Sequence, residues 1–261
     1  MGYSHENHRR RICGSAALPG VVRQLQARGY PAQNIWGLLQ HLTLQEVPPL
    51  AQQGYSSLCQ ALGLPPPVLY FARTAFNTFA FYIDGNIVVG VDEIAVLAAD
   101  VWHQADAPLR NAIAYGYRQN WGRVPNEWQL FEYFKYLVLL LVMAHELGHA
   151  AHALGQPSRF QHEEAGADYV SGGAAYRLGI PKGLGELLFY DLGCNTDGCT
   201  HPPSGQRRTA FENGFDEAWA HDEAVRQEYA RQAARSNDGA ALAMLGVLGL
   251  FLVGAAAASR R

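Results

Sequence analysis

The stretch Leu137-Val138-Leu139-Leu140-Leu141-Val142-Met143-Ala144-His145-Glu146-Leu147-Gly148-His149 decides how this chain is read. Gly and Pro are absent from Leu130 to Leu147, and Leu, Met, Ala, Glu and Lys favour helix. Trp128, Leu130, Phe131 and Phe134 extend the apolar character upstream, so the spacing predicts a buried helix. On it, His145 and His149 lie on successive turns of one face, where two imidazoles can grip one metal ion. Glu146 is turned about 100° from His145, which suits a group that handles a metal-bound water and leaves the metal to the histidines. Zinc brings the pKa of such a water towards ~7, within reach of a carboxylate base. H-E-x-x-H also arises by chance at the end of an ordinary core helix. Here the preceding turns are too apolar for a surface helix, and burying these three polar groups without partners would cost several kcal/mol.

Composition narrows the classes. The chain has 261 residues, enough to bury a real core in one domain, and only 16% of them are charged. A formal net charge of -3 and a pI near 6.4 give no electrostatic case for nucleic acid. Residues 1–17 read as a polar tail with Arg9-Arg10-Arg11 and lack the apolar run of a signal peptide. Cys13, Cys59, Cys194 and Cys199 are too few for a disulfide scaffold, and Cys194 and Cys199 read as free thiols.

Residues 18–62 read as short helices, with Ile35, Leu38, Leu39 and Leu42 at helical spacing. Phe79, Phe81 and Ile83 alternate before Asp84-Gly85, and Ile87-Val88-Val89-Gly90-Val91 follows; this is a β-hairpin pattern. Beside a metal site, the strand of Ile87, Val88 and Val89 is expected to be an edge that pairs with an extended substrate chain. Two further helices are expected near 94–102 and 108–117. Gly155 and Pro157 end the long helix, and Ser158 opens another, about 159–178, that carries Glu163-Glu164-Ala165-Gly166-Ala167-Asp168. The short connection makes the two helices antiparallel and sets Glu164 level with His149.

These motifs together resemble the gluzincin metallopeptidases of the CAAX-prenyl-endopeptidase and heat-shock membrane peptidase group. The resemblance rests on His145-Glu146-x-x-His149, Glu164-Ala165-Gly166-Ala167-Asp168, and His201-Pro202 with Arg207 after it. The segments Asn77-Thr78-Phe79-Ala80 and Gly85-Asn86-Ile87-Val88-Val89 are similar to that group's substrate-binding strand. The likeness runs from about Phe76 to Gly214. It implies His145, His149 and Glu164 as zinc ligands and Glu146 as the catalytic carboxylate. It further implies Asp168 supporting a ligand histidine, His201 stabilising the oxyanion or positioning substrate, and Arg207 bracing the site. Only residues 150–163 separate His149 from Glu164, which suits the compact relatives better than the membrane-embedded ones. Helix phase makes the same choice between the adjacent acids, since Asp168 shares a face with Glu164 and not with Glu163. A metzincin third ligand fits less well, because that pattern needs Gly at 152 and His at 155 and those positions hold His152 and Gly155.

Residues 217–235 read as a charged helix, residues 236–239 as a linker, and Ala240 to Ala258 as an uncharged stretch closed by Arg260-Arg261. As a helix that stretch spans about 28 Å, close to the ~30 Å hydrocarbon core, and is expected to be a single C-terminal membrane anchor. The expectation is therefore an α+β, mainly helical zincin-type domain over residues 18–235. It would hydrolyse a protein or peptide substrate with Zn2+. The rival readings are a regulatory protease that cuts a repressor or stress factor, and a zinc-stabilised binding module without turnover.

Overall fold

The structure is a computed structural model that describes residues 43–73, 80–83, 85–155, 163–193 and 202–236. Seven helices and one four-stranded sheet make up these residues, so the chain is α+β and mainly helical. In chain order they are β1 (Thr43–Gln45), α1 (Pro49–Leu62), β2 (Val68–Arg73), β3 (Ala80–Ile83), β4 (Asn86–Gly90), α2 (Val91–Gln104), α3 (Ala107–Trp121), α4 (Glu127–Ala153), α5 (Glu163–Arg177), α6 (Lys182–Asp191) and α7 (Ser204–Ser236).

Helix α4 is the centre of the packing. It begins at a capping box: the Asn126 side chain accepts from the Gln129 amide at 2.8 Å, and Gln129 accepts from the Asn126 amide at 3.1 Å. From Leu140 to Ala151 every residue is buried, which only a helix enclosed on all sides requires. The β3–β4 hairpin, α1, α2, α3, α5 and α6 all pack against it. Ser171 on α5 donates to the Leu141 carbonyl at 3.0 Å, tying the two helices together inside the core.

The hairpin forms where the sequence places it. Ile83 pairs with Asn86, and Gly85 takes the left-handed backbone (φ 76°) that this tight turn needs. Its place in the sheet differs from expectation. The strand order is β1-β2-β4-β3, with β4 parallel to β2 on one side and antiparallel to β3 on the other. Both hydrogen-bonding edges of β4 are therefore taken, and Ile87, Val88 and Val89 are all buried. The expectation that Ile87, Val88 and Val89 form a substrate-pairing edge is thus corrected. The edge on that side is β3, and β3 also packs on α4.

Two further differences concern the flanks. Thr43–Gln45 is a strand and not part of a helical layer, and it pairs antiparallel to β2, which the Pro-punctuated sequence around it concealed. The C-terminal helix starts at Ser204, well before the expected charged run, and so places Arg207 in its first turns. Residues 1–42, the Cys194–Cys199 loop with His201, and the apolar stretch 240–258 lie outside the described residues. Among the described residues, no helix is long and apolar enough to cross a membrane.

Helices α5 and α7 meet backbone to backbone. A methyl group added at Gly214 would overlap the carbonyl oxygen of Tyr169, and one at Gly172 would overlap that of Phe211 and come within 2.8 Å of the Phe215 nitrogen. Neither obstacle is a flexible side chain, so neither can yield without moving a helix. Gly214→Val is expected to lower unfolding stability by about 1–3 kcal/mol. Urea denaturation of the purified variant measures this, and an unchanged midpoint would show that the helices separate at little cost.

Candidate metal centre

Helix α4 delivers His145 and His149 from its last turns, and α5 delivers Glu164 and Asp168 from its first two. The two helices come close because position 148 has no side chain. A Cβ at Gly148 would lie 2.6 Å from the Cα of Ala167. Gly148 and Ala167 together set the separation across which the four polar groups meet.

Nε2 of His145 and Nε2 of His149 are 3.1 Å apart. One Glu164 oxygen, Oε2, lies 3.3 Å from the first, and the other, Oε1, lies 3.6 Å from the second. Ligand atoms held at 2.0–2.1 Å around a tetrahedral ion are roughly 3.3–3.4 Å from one another. The two nitrogens lie near that spacing, and each Glu164 oxygen lies near it from one of them. Among the described residues these three form the group able to hold a metal. Glu146 is not in that group. It is buried, and its charge acts on Arg207, which stands behind the site.

The second layer is as well defined. Nδ1 of His145 stands 2.8 Å from Oδ1 of Asp168, whose side chain is wholly buried. Arg207 donates from Nε to Oδ2 of Asp168 at 2.8 Å and from Nη2 to Oδ1 at 2.7 Å, a bidentate fork. Its Nη1 donates to the Leu192 carbonyl at 3.1 Å, and its Nη2 lies 3.8 Å from Glu164. The Phe189 ring packs against His145 at 5.9 Å, and the Arg207 guanidinium sits over the same ring at 5.7 Å.

Electrostatics follow from this arrangement. Burial pushes the His145 imidazole down, but its contact with Asp168, that residue's charge and Glu164 outweigh the burial and hold it up at about 9, against an ordinary 6.5. Burial raises the Glu164 carboxyl, yet His145, His149 and Arg207 together hold it far below the usual carboxylate range. Burial likewise works against the charge of Arg207, and Asp168, Glu164 and Glu146 restore it. Both shifts favour the charged form, of His145 by its carboxylate neighbours and of Glu164 by the basic groups around it.

Comparisons with family models, curated proteins and solved structures find no match. The site is accordingly read from its own geometry. That geometry brings together His145, Glu146, His149, Glu164, Asp168 and Arg207; His201 lies outside the described residues, and Ile87, Val88 and Val89 belong to the interior of the sheet. His152 is exposed at the end of α4. Two neighbours were not anticipated. Glu163, which helix phase set apart from Glu164, has Oε1 at 3.3 Å from His149 Nδ1. The sequence signal for it was the acidic pair itself. Phe189 has no local signal, because its role depends on how α6 folds back onto the site.

The raised His145 pKa has a definite sign. The extra proton stabilises the metal-free fold fully below about pH 6.5, and that stabilisation is lost as pH rises through about 9. A metal ion has to displace this proton, so affinity should climb over the same window and binding should release a proton. Competition with a chelator across that range reads the slope, and a flat profile would contradict it. At fixed pH, Asp168→Ala should weaken metal affinity by roughly 10–100-fold through loss of the ring's anchor.

Proposed function

We propose that this protein is a zinc-dependent endopeptidase of zincin type that hydrolyses a protein or peptide substrate. The observation that carries the reading is the convergence of two imidazole nitrogens and one carboxylate within 4.8 Å of one another, with Glu146 between the two histidines in the sequence. A zinc ion, when bound, supplies Lewis acidity to a carbonyl oxygen and to water. His145, His149 and Glu164 would hold the ion. Asp168 keeps the His145 ring in the orientation that turns Nε2 inwards, and Arg207 balances the buried Asp168 charge.

Glu146 moves the proton. Its carboxylate takes one from the attacking water and returns it to the amine nitrogen as the peptide bond breaks. The substrate backbone is held on β3, the edge strand against α4, and pairs there as an added strand. Burial of α4 and the ring of Phe189 keep bulk water from the ligand side of the site. The resemblance in the motifs supports the same reading. The uncharged stretch Ala240 to Ala258 supports attachment of the domain to a membrane by a single C-terminal segment.

Glu146→Gln tests the assignment. Its side chain keeps the size of the original but can no longer accept the proton, so metal content should stay at one zinc per chain while peptide hydrolysis falls by about 10²–10⁴-fold. Elemental analysis and a digest of a casein substrate read the two quantities. Near wild-type cleavage by this variant, or wild-type protein that takes up no zinc, would remove the proposal.

A further inference from the structure

Helix α5 meets the two ligand histidines in a fixed register. Ser171 reaches Leu141 at 3.0 Å, Asp168 reaches His145 at 2.8 Å and Glu163 reaches His149 at 3.3 Å, so the pairs run in opposite directions along α5 and α4. The contact of Glu163 thus belongs to the same ladder between the helices as that of Asp168, and is not a stray meeting of surface side chains. It falls on the back of the ring. Nε2 of His149 is the nitrogen turned towards His145 and Glu164, and Oε1 of Glu163 faces Nδ1. That Nδ1 is buried, in a side chain only 5% exposed, and among the described residues it has no hydrogen-bond partner. The Glu163 side chain is 47% exposed and so keeps room to turn.

We infer that Glu163 is a positioning residue for His149, accepting a hydrogen bond from Nδ1 so that Nε2 is left bare and aimed at the ion. The inference rests on the zinc site of the proposed peptidase and deepens it. A neutral imidazole that gives one nitrogen to a metal carries its proton on the other, and the partner of that proton fixes the tautomer and the direction of the ring. A buried N–H with no acceptor is costly, and Glu163 is the carboxylate in reach of this one. Glu164 is already committed, because its oxygens face the two Nε2 atoms. Asp168 is committed as well, to the Arg207 fork and to His145. Helix α5 therefore presents three carboxylates with three tasks: Glu164 towards the ion, Asp168 behind one ring and Glu163 behind the other. The two anchors differ in firmness. Asp168 has no solvent exposure and is gripped by Arg207, whereas Glu163 stands half in water. The anchor of His149 is therefore the weaker of the two.

Zinc competition with a chromophoric chelator, run on the full chain at constant pH, tests the role. Glu163→Ala should weaken zinc binding by roughly tenfold, the low end of the range for an outer partner of a ligand histidine. Glu163→Gln keeps an oxygen that accepts an N–H and gives up the charge, so it should restore most of the loss. An acid that only favours the helix terminus acts through its charge, and its two variants would behave alike. A second readout looks at the ring itself. The proton–nitrogen correlation spectrum of the histidines in the zinc-loaded protein should hold a slowly exchanging Nδ1 proton that Glu163→Ala removes and Asp168→Ala leaves in place. Wild-type protein that takes up no zinc overturns this inference together with the peptidase reading. Zinc-loaded wild type with unchanged affinity in Glu163→Ala, equal losses from the Gln and Ala variants, or an Nδ1 proton that survives Glu163→Ala overturns the anchor alone.

Discussion

The buried carboxylate of Asp168 is the constraint around which the centre is arranged. An ionised carboxylate with no solvent exposure is tolerated only when its charge is matched and its oxygens are occupied. Arg207 does both with a two-pronged fork from α7, and His145 takes up the remaining direction from α4. Three helices distant in sequence are thereby locked to one functional group. The orientation of the His145 ring is a consequence of this lock, and so is its elevated basicity in the metal-free protein. A group that holds a proton so firmly is also well placed to give a strong nitrogen donor once that proton leaves, because the Asp168 charge then polarises the ring towards the site.

Such a lock works only if the helices are close. Side chains of ordinary size between α4, α5 and α7 would hold the axes too far apart for short carboxylate and imidazole groups to meet. Gly148 opposite Ala167, Gly172 opposite Phe211 and Gly214 opposite Tyr169 remove that obstacle. Glycine inside a helix costs about 1 kcal/mol relative to alanine. At these positions the closer approach, the buried Ser171–Leu141 hydrogen bond and the Asp168–Arg207 fork offset that cost. The helical propensity of α5 is thus weak for the same reason that its site geometry is tight.

What could be read from the sequence follows from how local each feature is. The long apolar helix, its two histidines and the hairpin turn at Gly85 are set by residues within a few positions of one another, and their periods are visible in the chain. The phase of Glu164 against Glu163 was legible too, because it depends only on rotation along one helix; the structure puts Glu164 against both Nε2 atoms and Glu163 against an Nδ1. The strand order was not legible. Whether β4 is an edge depends on β2, which precedes β3 in the chain and pairs with β4 in parallel. No residue in β4 carries that information. Its run Ile87-Val88-Val89, apolar at both parities, was the available hint, since a strand buried on both faces reads as continuous and not as alternating.

Helix α4 unites two surfaces that its sequence already distinguishes. Up to Leu139 its residues alternate between the core and a surface groove, with Trp128, Glu132, Lys135 and Tyr136 lining that groove. From Leu140 to Ala151 it is enclosed completely, and there His145 and His149 appear. The first half of the helix lies on the same continuous element that carries His145 about two turns further along. Metal ligands demand placement within a few tenths of an ångström. The exposed aromatic corner and the enclosed stretch that carries the two histidines are thus two ends of one structural element.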